Sequence, residues 1–467
     1  MPPPEEKRGF RLYREVLNDP KFVVAPMVDA SELAWRMLAR RYGAQLCYTP
    51  MWHSAVFVRD EKYRKNALQT CPEDRPLIVQ FCANNPETFK QAVALTVKAI
   101  DCDAIDLNLG CPQVIAKRGH FGSFLQDEWD LIHKLVSTIH ENFDIPVTCK
   151  MRVFDDLQKT IDYAKMMESA GCQILTVHGR TREQKGALTG LANWDYIKAI
   201  VDHLRIPVIA NGNIQYFGDV QRCIRETGVN GVMSAEGHLT NPALFSGEQP
   251  PVWQMALEYL DLVDKYPCPL SYARGHLFKL FHHVLQIKSN SHIRDILAKG
   301  QSMATFREAA NMVKNLYIDF YLGNKEWTNP PELDVYSLKH PAWICQPYVR
   351  PPPEEHLKKM AEIKEKQQGE SQKRPSPEGN EGGMSKRKLK KLDRNPNKKF
   401  PHGRENCKLC LSCPNPCGTK CSSRLCRQCC KTRCFTDELD CEGHKIWVKT
   451  KRATARKYAE SEAEQKK

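Results

Sequence analysis

The amino-acid sequence predicts an α/β protein in which a (β/α)8 TIM barrel precedes a small all-helical domain, a disordered linker and a cysteine-rich tail. Three observations support this order. Eight short apolar runs rich in β-branched residues alternate with helix-like stretches, the pattern then becomes entirely helical, and ten of the 20 cysteines lie between Cys407 and Cys441. The length of 467 residues allows two or three domains.

The expected boundaries follow from these changes of pattern. They are 1–20 for an N-terminal extension, 21–248 for the barrel, 249–340 for the helical domain, 341–400 for a Pro/Lys-rich linker, 401–446 for the cysteine-rich module and 447–467 for a basic C-terminal segment.

The eight runs are continuously apolar for the most part, which is typical of parallel strands covered on both faces. They are FVVAPM (22–27), QLCYTPM (45–51), PLIVQFC (76–82), AIDLNLG (104–110), PVTCKMR (146–152), ILTVHGR (174–180), PVIANGN (207–213) and GVMSAEG (231–237). Eight such β-then-α units indicate a TIM barrel. An open doubly wound sheet is the alternative, but it usually carries a GxGxxG loop after its first strand, and this sequence has none there.

Beyond residue 250 the apolar residues recur at helical spacing. One stripe runs through Phe306, Ala310, Val313, Tyr317 and Phe320, and the whole stretch predicts three or four bundled helices. The Pro-rich and Lys/Glu/Gln-rich sequence that follows cannot bury enough apolar surface to order itself, so we interpret it as a linker. Its segment KRKLKK could be a nuclear localisation signal, a phosphate-contacting patch or a plain solvated charge run.

The net charge of +14 is concentrated near the C-terminus, because the chain from Pro351 onward holds 29 Lys and Arg against 16 Asp and Glu. This asymmetry favours a polyanionic partner, the alternative being a tail that only keeps the protein soluble. The N-terminus lacks a secretory signal, and no apolar run approaches the ~18 residues of a membrane helix. We therefore expect a cytoplasmic or nuclear protein, monomeric and without a membrane partner.

Polar and cationic residues gather where the runs end, and in a TIM barrel the active site lies at these strand ends. They are Pro26, Met27, Val28, Asp29, Thr49, Met51, Gln80, Asn108, Gly110, Cys111, Lys150, Arg152, His178, Arg180, Asn211, Gly212, Asn213, Ala235, Glu236 and Gly237. The cationic side chains suit an anionic ligand. The side-chain amides of Gln80, Asn108 and Asn211 suit the edge of a heterocycle. The glycine-rich loops NGN and SAEGH follow the last two strands, which commonly hold a phosphate. This set suggests flavin mononucleotide (FMN), and no DxD or HExxH motif indicates a metal in the barrel.

Cys111 follows one of these strands in the stretch DLNLGCP. An ordinary thiol has a pKa of ~8.5, so Cys111 would be protonated at neutral pH and could act as a general acid. We expect Gly110 to allow a tight bend and Pro112 to make the loop rigid. A merely buried cysteine and a covalent nucleophile are the alternatives.

The cysteine-rich tail contains paired C-x2-C units, which bring two thiolates to one ion and suit tetrahedral Zn²⁺. The candidate ligands are Cys407, Cys410, Cys413, Cys417, Cys421, Cys426, Cys429, Cys430, Cys434, Cys441 and His444. We expect one to three zinc ions held by a subset that the spacing does not identify. An iron–sulfur cluster and disulfides are the alternatives. Basic residues between the ligands allow RNA contact, and docking to a protein is a second option.

Seven stretches resemble, in order, the motifs of the tRNA-dihydrouridine synthase family. They are VVAPMVDASELAWRML, VQFCANNPETFKQA, DLNLGCPQVIAKRGHFGSFL, CKMRVFDD, LTVHGRTREQKG, VIANGNIQ and GVMSAEGHLTNPALF, and they cover roughly residues 20–245. The following helices are similar to that family's RNA-binding domain, and the sequence SAEG with the cysteine-rich tail resembles a eukaryotic branch.

The resemblance implies that NADPH or NADH reduces FMN, that a hydride then reaches C6 of a uridine in the tRNA D-loop, at position 16 or 17, and that Cys111 protonates C5. It implies FMN contacts for Pro26, Met27, Val28, Gln80, Lys150, His178, Asn211, Gly212, Asn213, Ala235 and Glu236. It implies substrate contacts for Asn108 and Arg152, and Arg180 is a further candidate from its position at a strand end.

One departure concerns the phosphate. Many relatives carry Gly-Arg where this chain has Ala235 and Glu236, so backbone N–H groups would have to bind the phosphate there. Two other functions stay open from the sequence: an FMN barrel oxidoreductase acting on a free pyrimidine, and a non-catalytic RNA-binding scaffold that retains the barrel.

Overall fold

Eight parallel strands close into the predicted TIM barrel. The computed structural model describes residues 8–349, 354, 357–358, 408–450 and 452–454. The sheet has nine strands, and all of them except β3 form the ring. They are β1 (Phe22–Val24), β2 (Leu46–Tyr48), β3 (Trp52–His53), β4 (Leu77–Cys82), β5 (Ala104–Leu109), β6 (Val147–Arg152), β7 (Leu175–His178), β8 (Val208–Asn211) and β9 (Gly231–Ser234). They pair in the order β2-β1-β9-β8-β7-β6-β5-β4, and the β2–β4 pairing closes the ring. The short strand β3, which no apolar run predicts, lies along the end of β4.

Helices follow the barrel strands and cover their outer face. Within residues 8–240 they are α1 (Arg8–Arg11), α2 (Leu33–Arg41), α3 (Ser54–Arg59), α4 (Glu61–Ala67), α5 (Pro86–Ala99), α6 (Val114–Gly119), α7 (Trp129–Asn142), α8 (Leu157–Ser169), α9 (Trp194–His203), α10 (Phe217–Thr227) and α11 (Glu236–Thr240). Local sequence explains where several begin. The Asn85 side chain accepts a hydrogen bond from the Thr88 N–H, and Pro86 occupies the first turn of α5.

A segment from the predicted N-terminal extension packs into the barrel core. Leu12, Tyr13 and Leu17 are at most 4% exposed and contact the inward side chains of the strands. The Tyr13 hydroxyl donates to the Pro20 carbonyl, at 2.5 Å. This end of the barrel is therefore closed by apolar side chains, and the opposite end, where the strands finish, is the one available for chemistry.

Four helices form the domain that follows the barrel: α12 (Val252–Lys265), α13 (Leu270–Leu280), α14 (Ser291–Lys299) and α15 (Met303–Tyr321). The stripe on α15 is buried at Phe306, Ala310, Val313 and Tyr317, as its spacing predicts. Residues 342–345, assigned above to the linker, instead pack back on α12, where Ala342 and Cys345 are each 1% exposed and the Trp343 carbonyl accepts from the Val252 N–H.

A buried polar cluster joins α2 of the barrel to the helical domain. Glu32 accepts a hydrogen bond from the Tyr259 hydroxyl at 2.6 Å and lies 3.1 Å from His276 Nε2. Trp35 stacks on His276 and donates to His238 Nδ1. Since buried polar groups cost free energy unless they are paired, this cluster specifies how the two domains meet.

The tail is a separate structural unit, divided from the first between residues 370 and 371. It consists of a hairpin of β10 (Leu409–Cys410) and β11 (Cys413–Pro416), a helix α16 (Arg427–Thr436), and a hairpin of β12 (Asp440–Cys441) and β13 (Ile446–Trp447). The KRKLKK segment lies outside the described residues. No helix in the described part of the chain is both long enough and apolar enough to span a bilayer.

Candidate active site and metal clusters

A cavity of about 230 Å³ opens at the C-terminal ends of the barrel strands. Its lining includes nine of the residues predicted at the strand ends: Arg152, His178, Arg180, Asn211, Gly212, Asn213, Ala235, Glu236 and Gly237. Gln80, Asn108 and Lys150 lie on β4, β5 and β6 and are at most 8% exposed. Met27 follows β1, where its N–H donates to the Ser31 hydroxyl, and Val28 is 57% exposed.

The loop that carries Cys111 is held by side-chain contacts. Asn108 Oδ1 accepts from the N–H groups of Gly110 (3.2 Å) and Cys111 (2.9 Å), and the Cys111 carbonyl accepts from the Ser123 hydroxyl at 2.9 Å. Both lone pairs of the Asn108 oxygen are thereby used, and one Nδ2 hydrogen donates to Gln80 Oε1, which leaves one N–H hydrogen of this side chain for a bound base.

The glycine on which this loop depends is Gly122, contrary to the expectation for Gly110. The Gly110 backbone is not in the left-handed region, and a Cβ there would approach no atom closer than 3.5 Å. Gly122 has φ +64°, and its Cβ would lie 2.9 Å from the Cys111 carbonyl oxygen. A side chain at 122 would therefore displace the cysteine loop.

The Cys111 thiol is half-buried and protonated at neutral pH. Burial raises its pKa above the ordinary value, and the nearby Gln113 N–H, Arg152 and Lys150 offset this only in part. A thiol in this state can donate a proton, whereas a thiolate nucleophile would need a lowered pKa.

Lys150 is the fourth residue of β6 and lies opposite Asn108 of β5. Its Nζ donates to Asn211 Oδ1 at 2.9 Å, and the Asn211 amide donates to the Met233 carbonyl. Burial and then the charge of Arg152 lower the pKa of Lys150 to about 8. Because burial and a neighbouring cation both disfavour the charged amine, an anionic ligand beside Lys150 would stabilise its protonated form.

Arg152 and Arg180 link neighbouring loops. Arg152 donates to the carbonyls of Gly110 (3.0 Å) and Thr181 (2.7 Å), and burial followed by the Arg180 charge lowers its pKa to about 10. Arg180 donates to the Gly190 carbonyl and to Asn213 Oδ1, both at 2.9 Å. Both guanidinium groups thus organise the mouth of the barrel, and their predicted contacts with substrate stay predictions.

His178 is neutral. Burial, and then the charges of Lys150, Arg152 and Arg180, lower its pKa well below the ordinary value. Arg180 Nη1 lies 3.0 Å from His178 Nε2, and a guanidinium can only donate. The proton of His178 is therefore assigned to Nδ1.

The two glycine-rich loops meet beside the cavity. Gly212 has φ +111°, and a Cβ there would lie 2.6 Å from that of Ala192. Asn213 follows with φ +62° and holds Ala192 by two hydrogen bonds of 2.9 Å. The NGN sequence thus forms a compact turn whose backbone lines the cavity.

Sequence reasoning missed three residues that shape the site. Lys185 Nζ donates to the Pro112 carbonyl at 2.8 Å, and so connects the loop after β7 to the cysteine loop. Gly122 permits the close approach described above, and Asp106 lies in the middle of β5, directly opposite Gln80 of β4, whose side chain donates to it. A carboxylate inside an otherwise apolar strand run was the one available signal, because such a group is rarely buried without partners.

The tail holds two groups of metal-ligating side chains, and within each group all ligand atoms lie within 4.8 Å of one another. The first comprises Cys410, Cys413, Cys426 and Cys429. The Cys413 sulfur lies 3.6 Å from those of Cys426 and Cys429. Tetrahedral coordination with Zn–S bonds of ~2.3 Å would set the sulfurs about 3.8 Å apart, so this group matches such an ion.

The second group comprises Cys421, Cys430, Cys441 and His444. The sulfur of Cys421 lies 3.6 Å from that of Cys430 and 4.0 Å from that of Cys441, and His444 Nδ1 is 3.5 Å from the Cys441 sulfur. Cys417 and Cys434 belong to neither group, and Cys407 lies outside the described residues.

The two groups are interleaved along the chain. Cys421 of the second group lies between the two pairs of the first, and the adjacent residues Cys429 and Cys430, at the beginning of α16, contribute to different groups. Binding of an ion at one group therefore orders chain segments that the other group also needs.

Comparison with known proteins agrees with this geometry. The family model described as Dihydrouridine synthase (Dus) matches residues 23–318. A mouse protein named tRNA-dihydrouridine(16/17) synthase, NAD(P)(+)-like, is 52% identical over 447 residues, which are 95% of this chain and 91% of the mouse protein. The Saccharomyces cerevisiae tRNA-dihydrouridine(16/17) synthase is 45% identical over 372 residues, covering 73% of this chain and 86% of the yeast protein. The chain belongs to the dihydrouridine synthase family.

Proposed function

We propose that this protein reduces uridine to 5,6-dihydrouridine in the D-loop of tRNA, at positions 16 and 17, with FMN as cofactor and NADPH or NADH as electron donor. The observation that carries the proposal is the position of Cys111, two residues after β5 and next to Pro112 and Gln113, which line the cavity together with Arg152 and Arg180; burial raises the pKa of its thiol, which keeps it protonated. The mouse and yeast relatives add the tRNA substrate, the two positions and the nicotinamide donor, since their names state them.

The donor set suits FMN. Burial, and then the charge of Arg152, lowers the pKa of Lys150, and burial followed by the charge of Arg180 lowers that of Arg152, so an anionic phosphate and an electron-rich ring would relieve this repulsion. We assign FMN binding to the eleven residues named above, with backbone N–H groups at Ala235 and Glu236 binding phosphate. When bound and reduced, FMN supplies the hydride that adds to C6 of the uracil ring.

Cys111 completes the reaction by giving its proton to C5. Asn108 and Ser123 hold the Cys111 N–H and carbonyl, so the backbone that carries the thiol is fixed while the base enters. Asn108, Arg152 and Arg180 are the proposed substrate contacts. The uridine must leave the tRNA stack to reach a barrel floor, as in other enzymes that act on an extruded base.

The tail is proposed to hold two Zn²⁺ ions, one in each group, and to assist RNA capture through its basic residues. The S–S distances of 3.6–4.0 Å and the thiolate-rich ligand sets favour Zn²⁺ over metals that prefer oxygen. We further propose cytoplasmic and nuclear residence, with KRKLKK as the signal for the latter, and a monomer in solution.

Replacement of Cys111 by alanine tests the function. We expect Cys111→Ala to retain bound flavin and its reduction by NADPH, while dihydrouridine formation in tRNA falls roughly 100-fold or more. Mass spectrometry of nuclease-digested tRNA measures the product. Cys102, at the opposite end of β5, provides the matched control, since Cys102→Ala should leave product formation unchanged.

Three results would contradict the proposal. They are undiminished product from Cys111→Ala, activity on free uracil or uridine with none on tRNA, and a colourless wild-type protein without flavin. The second would favour an oxidoreductase for free pyrimidines, and the third would favour a scaffold.

A further inference from the structure

A carboxyl group is buried in the middle of the barrel, where the mechanism above does not use it. Asp106 is fully buried, and its neighbours in β5 are apolar. Burial raises its pKa to about 6, although hydrogen bonds from Thr148 and Gln80 and the charge of Lys150 oppose the rise. The group is thus mainly ionised at neutral pH in a place where an apolar residue would be favoured.

A chain of hydrogen bonds leads from Asp106 to the cysteine loop. Gln80 Nε2 donates to Asp106 Oδ2 at 2.8 Å, and Gln80 Oε1 accepts from Asn108 Nδ2 at 2.8 Å. Asn108 Oδ1 then accepts from the Cys111 N–H at 2.9 Å. Three consecutive contacts therefore connect the buried carboxylate to the backbone of the proposed proton donor.

Both ends of this chain have a fixed polarity. A carboxylate can only accept, so the NH2 of Gln80 must face Asp106 and its oxygen must face Asn108. A backbone N–H can only donate, so the oxygen of Asn108 must face Cys111. If Gln80 turned over, its NH2 would meet the NH2 of Asn108, and Asn108 would have to turn as well. Its own NH2 would then oppose the Cys111 N–H and release the loop.

We propose that Asp106 is a positioning residue for uridine reduction: its carboxylate selects one orientation of the Gln80 and Asn108 amides, and through them it holds the Cys111 loop. The inference rests on the proposed role of Cys111 as proton donor. It extends that role by identifying the buried carboxylate that, through Gln80 and Asn108, holds the loop carrying the thiol.

Three variants separate this role from the alternatives. Asp106→Leu removes the acceptor that orients Gln80. Asp106→Asn retains an acceptor, because its carbonyl can face Gln80 while its NH2 faces the Thr148 hydroxyl. Thr148→Val is the matched control, since it removes the 2.6 Å hydrogen bond to Asp106 Oδ1 and leaves the Gln80 contact intact.

Each variant is assayed as the full chain for flavin content, for the rate of flavin reduction by NADPH, and for the single-turnover rate of dihydrouridine formation in tRNA. We expect Asp106→Leu to lower the last rate roughly 100-fold, the order of loss that a misplacement near 1 Å causes. Flavin reduction should stay within about threefold of wild type, and flavin content should fall much less than uridine reduction, because Gln80 is one of eleven proposed FMN contacts. Asp106→Asn should recover most of the uridine reduction, and Thr148→Val should stay close to wild type.

If Asp106→Leu and Asp106→Asn lowered the rate of dihydrouridine formation equally, the negative charge of Asp106 and not its hydrogen-bond acceptor would be what the reaction needs. That result would overturn the proposal. A loss of flavin reduction in step with uridine reduction would do the same, because it would make Asp106 a counter-ion for Lys150. If Asp106→Leu does not fold, Asp106→Ala takes its place, because it removes the same acceptor; wild-type uridine reduction in a folded Asp106→Leu or Asp106→Ala protein would overturn the proposal. A wild-type protein that forms no dihydrouridine would instead refute the proposed function.

Discussion

The buried core of the barrel and the buried core of the tail consist of different types of side chain. In the barrel, aliphatic side chains such as Ile78, Leu107 and Val177 are fully buried, and such burial contributes roughly 25 cal/mol per Å². In the tail, six of the eight buried core residues are cysteines, accompanied by Leu425 and Val448. Thiols supply little of this stabilisation, so the barrel can fold on apolar burial alone, whereas the tail depends on metal binding.

The largest expected effect is therefore removal of metal. A strong chelator should unfold the tail of the full-length protein, because the binding free energy of a structural zinc site, ~10–16 kcal/mol, then no longer supports folding. Limited proteolysis followed by mass spectrometry should find cleavage within residues 408–450 and none within the barrel.

The cysteines provide an internal control for that experiment. Cys430→Ala should lower the metal content of the purified protein and expose the tail to protease, while Cys417→Ala, outside both groups, should retain both ions. A tail that stays protected after its metal is gone would remove the distinction between the two regions.

A cavity created in the barrel core should destabilise the barrel and leave the metal content of the tail unchanged. Leu107 is fully buried, so Leu107→Ala should destabilise the barrel by about 2–5 kcal/mol through lost burial and the void left behind. Thermal unfolding measures this loss, and the metal content should be unchanged. Leu107→Met, which nearly conserves volume, should cost less than about 1.5 kcal/mol.

Asp106 tests whether a buried charge in the middle of β5 lowers the free energy of unfolding of the barrel. Its pKa is about 6 in the folded protein and ~3.9 in an unfolded chain, so its stabilising contribution is full below pH 4 and is lost as the pH rises through 6. At pH 8 the buried charge costs about 3 kcal/mol.

Asp106→Asn should accordingly stabilise the barrel by about this amount at pH 8 and by about half as much at pH 5. Denaturant unfolding at several pH values measures the difference. A variant that is less stable than wild type at pH 8 would show that the ionised carboxylate is worth more in hydrogen bonds than its burial costs.

The smallest effect concerns Lys150 and the pH dependence of flavin binding. Its pKa of about 8 means that the cofactor-free protein loses this charge above pH 8. Affinity for the anionic FMN should then fall by up to tenfold per pH unit. Fluorescence titration of FMN from pH 7 to 9.5 measures the slope. Lys150→Met should bind FMN more weakly and show a flat profile over this range, and an equally flat wild-type profile would contradict the assignment.

Much of the fold could be predicted from the chain because its patterns are strong. The eight apolar runs correspond to the eight barrel strands, and the stripe on α15 is buried. The N-terminal segment at residues 12–17 was missed, because four apolar residues in six positions are too few to show that the segment packs into the barrel core. Strand β3 was missed for a similar reason, since two residues carry no alternation.

The site was harder to predict in detail than in outline. Sequence position indicated which residues reach the barrel mouth, and nine of them line one cavity. It did not indicate that Asn108 turns back onto the Cys111 backbone, or that Gly122, eleven residues further on, is the glycine the loop requires. Such contacts join residues through space, and a linear pattern does not record them.

The amino-acid sequence by itself determined the barrel, the helical domain and the chemistry of the tail, since periodicity, strand count and ligand type are local properties of the chain. Only the tertiary structure decided how the cysteines divide, how the arginines are used and which way the amides of Gln80 and Asn108 point. The physical reason is that the interactions concerned are directional. Hydrogen bonds and metal coordination depend on angles and on distances of a few ångströms, and these exist only after distant segments have been brought together.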